Sequence, residues 1–180
     1  MPSLPPDSVN QIAAFARQLE MTVNAGLCQR FNRPISDLTA LISILNWNTF
    51  NISWLANVLE LTHSATVRLV DRMEADGLIS RMAKDAKNQV GLSISDKGRV
   101  LAEDVLRLRH ELASSVLQPL NVQQVQTLAE LARVALNANV QDEPAAYKTC
   151  ALCDEVACGA DCPTAPVVSL VGFKTEDKRR

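Results

Sequence analysis

Residues Asn51 to Arg99 read NISWLANVLELTHSATVRLVDRMEADGLISRMAKDAKNQVGLSISDKGR. Asn51 carries a side chain suited to cap the free backbone N–H groups at a helix start, and Ile52, Leu55, Val58 and Leu59 follow it at helical apolar spacing. A second helix begins at Thr62, another capping residue. Its Val67, Val70 and Met73 recur three residues apart and predict the buried face, while Ser64, Ala65, Arg68 and Arg72 point elsewhere. Ala56, small and midway along the first helix, leaves room for the second to cross it steeply. Gly77 then supplies the residue that ends the second helix.

Beyond Gly77 come Leu78 to Arg81, then a polar stretch from Met82 to Gln89. Val90, Leu92 and Ile94 then alternate with Gly91, Ser93 and Ser95. Strict alternation is the pattern of a half-buried strand, so two strands flank a charged loop, and Ser95 before Asp96 is placed to cap the next helix. Two crossed helices followed by such a hairpin make a winged helix-turn-helix, whose second helix fits the major groove of double-stranded DNA. Ser64, Thr66 and Arg68, near the amino end of that helix, are candidates for contacts to base edges, Arg68 as a bidentate reader of guanine. Thr62, Ser64 and the helix amino terminus suit a phosphate, and His63 stands beside them. Thr66 has a second reading, in the core beside Val67 and Val70. Arg72 suits a phosphate or a bridge to Asp76, and with Arg68, Arg81, Lys84 and Lys87 it would line one side. Seven Lys or Arg residues stand against five Asp or Glu between Arg68 and Arg99, although the whole chain carries a net charge of −2. Phosphate contacts need a local patch and not a basic protein.

Leu38 to Leu101 resembles the multiple antibiotic resistance regulator (MarR) family. The resemblance rests on W-L-A-N-V-L-E-L-T (Trp54 to Thr62), T-V-R-L-V-D-R-M-E-A-D-G-L-I-S-R (Thr66 to Arg81) and S-I-S-D-K-G (Ser93 to Gly98). Three positions depart from the family pattern. Glu60 replaces the turn glycine, Asp85-Ala86-Lys87 stands where Asp-x-Arg is usual, and Ile94-Ser95 replaces Leu-Thr. The resemblance implies a regulator of transcription, most simply a repressor that occludes a promoter. In the mechanism it implies, a small-molecule effector or a thiol event shifts a homodimer between two geometries. It also permits a redox-sensor role for Cys28, whose other reading is a small buried hydrophobe.

Both flanks carry long apolar stripes. Ile12, Phe15, Ala16, Leu19, Val23 and Leu27 share one face between Val9 and Arg30; Leu101, Val105, Leu108, Leu112 and Val116 share another. Gln123 to Asn139 repeats the theme with Val125, Leu128, Leu131, Ala132 and Ala135. Such stripes can pack on one another within the chain, as in a bundle. The family resemblance assigns helices from both ends to a homodimer interface, which would set two recognition helices into successive grooves of a pseudo-palindromic operator. The expected fold is mainly α, with a dimerisation helix in 1–35, the winged domain in 36–100, dimerisation helices in 101–140 and a small cysteine module in 141–180. With 180 residues, 47% apolar and only 4% aromatic, the chain can bury one core built of Leu, Val, Ile and Ala. Neither a secretory leader nor a membrane span is legible, so a cytoplasmic location and no membrane partner are expected.

The tail holds Cys150, Cys153, Cys158 and Cys162, then Pro163, in the spacing C-x2-C-x4-C-x3-C-P. Two close pairs of thiols can converge on one tetrahedral centre. The short loops and Gly159 suit a single Zn²⁺, and thiolate ligation would fold a segment of little apolar mass. An iron–sulfur cluster is the alternative suggested by the C-x3-C-P ending, although the x4 gap is wide for one. Reversible disulfides and unligated thiols remain as further readings. Asp154 and Asp161 are expected in solvent, as is His110, and Val167 to Val171 is apolar enough to dock.

An enzyme is not expected. The chain has no Gly-rich phosphate loop, no H-E-x-x-H, no nucleophile elbow and no His with a carboxylate at catalytic spacing. An alternative from another class is a metal- or redox-handling interaction protein, in which the winged fold touches protein and the cysteines perform the function.

Overall fold

The computed structural model describes residues 4–47, 51–83, 90–159, 162–164 and 167. It is mainly helical, in the order α1 (Pro6–Phe31), α2 (Ile35–Asn46), α3 (Ile52–Leu59), α4 (His63–Ala75), β1 (Ile79–Ala83), β2 (Val90–Ile94), α5 (Asp96–Leu117), α6 (Val122–Asn139), α7 (Glu143–Cys150) and α8 (Glu155–Cys158). The expected wing residues Lys84 and Lys87 lie outside the described residues. No helix among the described residues is long and apolar enough to cross a membrane.

The three expected caps are in place. Asn51 accepts a hydrogen bond from the Trp54 amide at 2.9 Å, Thr62 from Ala65 at 3.2 Å and Ser95 from Gly98 at 2.9 Å. Each satisfies an amide that the helix itself leaves without a partner. At the far end of α4, Gly77 adopts φ 70°, the left-handed region that a side chain disfavours. β1 and β2 pair antiparallel with Ile79 opposite Ile94 and Arg81 opposite Leu92, and Asn51 adds a bridge to Gly91 at the hairpin's outer edge.

One core joins the helices and the hairpin. Leu27 of α1, Leu38, Leu41, Ile42 and Ile44 of α2, Leu55 of α3, Val70 and Met73 of α4, Leu92 of β2 and Val105 of α5 are all buried in it. The α2 helix, absent from the sequence reading as an element, is the centre: every residue from Asp37 to Asn46 except Thr39 is buried. A helix buried on all sides shows no apolar periodicity, so it leaves no stripe to read.

A smaller second core forms where α7 meets α3. Val58, Val140, Ala146, Tyr147 and Ala151 are buried there, with Trp47, Trp54 and Val167 packed against them. The rings of Trp47, Trp54 and Tyr147 meet edge to face at centroid distances of 4.9–5.8 Å. The cysteine segment therefore begins from a helix with an aromatic anchor of its own, which the sequence reading missed.

The glycine of S-D-K-G is fixed by a close approach. A Cβ on Gly98 would stand 2.0 Å from the Leu78 carbonyl oxygen and 2.9 Å from Ile94 Cγ1, and the first of these neighbours is backbone that cannot swing aside. Gly98→Ala should lower stability by about 1–3 kcal/mol, the usual range for overpacking a filled site. The urea midpoint of the full chain measures it, and an unchanged midpoint would show that the hairpin base yields freely.

Candidate nucleic-acid interface and cysteine segment

The amino end of α4 projects from the molecule. Thr62, His63, Ser64 and Arg68 are all exposed, and Arg68 makes no ion pair among the described residues. The Thr62 and Ser64 hydroxyls lie 3.3 Å apart. The opposite face of α4 buries Thr66, Leu69, Val70 and Met73. These are the i, i+3, i+4, i+7 positions of one helix face, so the buried stripe is centred one residue away from the expected Val67, Val70, Met73 series, and Val67 is only partly covered. Thr66, expected as a base-edge contact, is 0% exposed and donates its hydroxyl to the Thr62 carbonyl at 3.0 Å. It belongs to the core, its polar atom satisfied within the helix.

Two expected phosphate contacts are engaged inside the protein. Arg72 forms a two-pronged pair with Asp37, Nη2 to Oδ1 at 2.6 Å and Nε to Oδ2 at 3.0 Å, in place of the expected bridge to Asp76. Asp37 is 2% exposed and Arg72 48%, so the carboxylate is the buried partner and the arginine its cover. The hydrogen bond to Asp37 raises the Arg72 pKa above its already high ordinary value. Asp76 instead accepts from Arg33 at 2.6 Å, and Arg33 also lies 3.8 Å from Asp37. Arg33 and Asp37 went unnoticed in the sequence, where both precede the recognised motifs. Arg81 pairs with Asp71 and Glu74 of α4, and Glu74 also accepts from the Arg81 backbone amide at 3.1 Å. Burial opposes the charge on Arg81; the bonds to Asp71 and Glu74 more than offset it. Lys97 donates to the Asp76 carbonyl at 2.8 Å, where the carboxyl end of α4 favours a cation.

The turn between α3 and α4 passes through Glu60, at φ 53° and ψ 37°. A non-glycine residue in this region carries strain on the order of 1 kcal/mol. Its carboxylate accepts from Lys148 of α7 at 2.9 Å, so the departure from glycine coincides with a contact between the turn and the cysteine segment.

The cysteine segment lies against α2 and α5. Ser43 donates to the Ala151 carbonyl at 3.1 Å, and Asn46 donates to the Cys153 carbonyl at 3.0 Å. The Cys153 amide closes a tight turn onto the Cys150 carbonyl at 2.9 Å. The thiols of Cys150 and Cys153 neighbour one another, as do those of Cys158 and Cys162. The hydroxyl of buried Thr164 lies 3.1 Å from Cys150 Sγ and 3.3 Å from Cys162 Sγ. As the side chains stand, no group of three or more His, Cys, Asp or Glu residues among those described closes around a metal position. Asp154 is not merely solvated: it caps α8, accepting from the Val156 and Ala157 amides at 3.1 and 3.2 Å. Asp161 lies outside the described residues. Cys28 is half-buried on α1, far along the chain from the four. A cleft of about 500 Å³ separates the segment from α5, lined by Arg107, Arg109, His110, Cys153, Asp154 and Cys158 among others.

Residues 34–87 match the model of the MarR family. Over these residues the chain is similar to that family. The folded chain is also similar to three solved structures. The YusO protein from Bacillus subtilis is 22% identical, with a TM-score of 0.58 over 72% of this chain and 92% of that one. The apo form of MarR from E. coli is 20% identical, with a TM-score of 0.61 over 74% and 98%. A MarR family protein from Bacillus stearothermophilus is 20% identical, with a TM-score of 0.67 over 77% and 100%. At these identities the likeness is one of fold. About three-quarters of this chain accounts for nearly all of each neighbour, so about a quarter of it has no counterpart in them. No match is found among curated proteins.

Among the four tail thiols, Cys153 is set apart. The neighbouring Cys150 thiol lowers its pKa to about 6 against the effect of its own burial, and Arg109 helps from across the cleft. Cys158 goes the other way, pushed up to about 11 chiefly by burial. In reduced, chelator-treated protein at pH 7, Cys153 should therefore be the first of the four alkylated by iodoacetamide, at a rate that falls as pH drops through 6. Peptide mass spectrometry reads the order, and preferential labelling of Cys158 would contradict it.

Proposed function

We propose that this protein is a DNA-binding regulator of transcription that acts as a homodimer, most simply as a repressor. The observation that carries the reading is the division of labour on α4: its buried face locks into the MarR-like fold, while Thr62, His63, Ser64 and Arg68 present polar groups and, among the described residues, one unpaired cation outward. Arg68 reads a guanine edge in the major groove, and Thr62, His63 and Ser64 hold backbone phosphate at the helix amino terminus. Arg72 and Arg81 act indirectly, by fixing α4 against α2 and the hairpin.

Dimerisation is supported by apolar faces that the described residues leave uncovered. In α6 no residue is buried, and Val122, Leu131 and Val134 are each more than 60% exposed; Ile12 of α1 is 69% exposed. A second copy covering both helices would bring two α4 helices to one side, spaced for successive grooves. Small-molecule or thiol control of that spacing fits the same architecture.

The test uses duplex DNA selected by the protein from a random-sequence pool. Binding should show the mass of a dimer by sedimentation and weaken steeply with salt. Arg68→Ala should lower affinity by about 10- to 100-fold, since one bidentate base contact is worth about 1–3 kcal/mol. Stability of that variant should stay within about 0.5 kcal/mol, as expected of an exposed site. Failure to select any duplex, or binding indifferent to salt, would sink the reading and favour a protein-binding role for the winged fold.

A further inference from the structure

We propose that Cys150, Cys153, Cys158 and Cys162 form one mononuclear tetrathiolate site for a zinc-class divalent metal, and that filling it clamps α7 onto the helix-turn-helix. The clamp goes beyond the regulator reading and does not depend on DNA.

The backbone already delivers the sulfurs in two pairs. Cys150 ends α7 and Cys153 follows across a hydrogen-bonded turn; Cys158 ends α8, and Cys162 follows Gly159 at φ 57° with its amide donating to the Gly159 carbonyl. Across the pairs Cys150 and Cys162 both reach the one hydroxyl of Thr164. Tetrahedral zinc with bonds of ~2.3 Å holds neighbouring sulfurs about 3.8 Å apart. Ligation then requires the thiol side chains to turn inward from where they stand. The sulfurs bind as thiolates, their protons passing to water. Four thiolates around a divalent ion leave a charge of −2, and Arg109 lines the cleft beside Cys153 and Cys158, where it offsets that charge.

The site is tied to the MarR-like fold at several points. Ser43 and Asn46 of α2 hold the carbonyls of Ala151 and Cys153, and Lys148 holds Glu60 in the α3–α4 turn. Tyr147, one helical turn before Cys150, sits against Trp47 and Trp54. These are the two tryptophans of the chain, so indole emission reports directly on the clamp.

Reduced, metal-free full-length protein is titrated with Co²⁺ under exclusion of oxygen. The expected result is one Co²⁺ per chain, with the intense visible bands and sulfur-to-metal charge transfer of tetrahedral thiolate ligation. Cys153→Ser should weaken binding at least 100-fold, and Cys28→Ser should leave it unchanged. A weak six-coordinate spectrum, or the same spectrum in Cys153→Ser, would overturn the site. Iron with acid-labile sulfide in anaerobically isolated protein would overturn the mononuclear assignment. In a parallel titration with Zn²⁺, which does not quench, indole emission should shift at one equivalent in the wild type and not in Cys153→Ser. Zinc binding that leaves the emission unaltered would overturn the clamp. Neither readout involves DNA, so failure of operator binding and failure of this site are separately visible.

Discussion

A helix with no solvent-facing side must find a partner for every polar group it carries, and α2 does so with three side chains. Asp37 takes Arg72 of α4, with Arg33 beside it; Ser43 and Asn46 take carbonyls of the cysteine segment. Leaving any of these buried groups unmatched would cost on the order of 1–3 kcal/mol, more for the carboxylate. The same burial that makes α2 the apolar centre therefore forces it to bind one outlying element at each end. The helix-turn-helix and the cysteines are fixed to a single rod, and neither can shift without disturbing the groups that hold the other.

That arrangement changes how charge should be counted. The linear excess of Lys and Arg between Arg68 and Arg99 suggested a basic strip, yet Arg72, Arg81 and Lys97 are spent on Asp37, on Asp71 with Glu74, and on the carbonyl of Asp76. Arg68 is left as the cation of α4 that faces outward. In the proposed DNA complex, a near-neutral chain with one such residue per α4 would depend for selectivity on geometry more than on bulk attraction. Glu60 adds an acidic group at the turn, where the family resemblance leads one to expect glycine; its contact with Lys148 gives the strained backbone a reason to be there.

What was legible in the sequence was local. Asn51, Thr62 and Ser95 each act on an amide three residues away, Gly77 on its own φ angle, and β2 alternates because one of its faces is covered; all can be read from neighbours in the chain. The helix α2 was illegible because full burial erases the contrast between faces. The displacement of the α4 stripe from Val67 to Leu69 has a similar origin: Thr66 hides its hydroxyl in its own helix and so behaves as an apolar residue that its type conceals. Long-range pairs such as Asp37 with Arg72 leave no mark on spacing, and neither does the meeting of Tyr147 with two tryptophans about ninety residues earlier. Proximity of the four cysteines in sequence was the signal that drew attention to the tail, while the aromatic anchor that holds it in place came only with the fold.

The contact at Gly98 has a mechanical consequence. With the Leu78 carbonyl seated against the first turn of α5, and Ser95 donating to the carbonyls of Gly77 and Leu78 at 2.7 and 3.0 Å, the base of the hairpin is welded to that helix. At 22 residues α5 is about 33 Å long. A tilt of roughly 5° about one end carries the other through about 3 Å over that length. The base of the hairpin is therefore the short arm of a lever, and its pitch is set at the far end of α5.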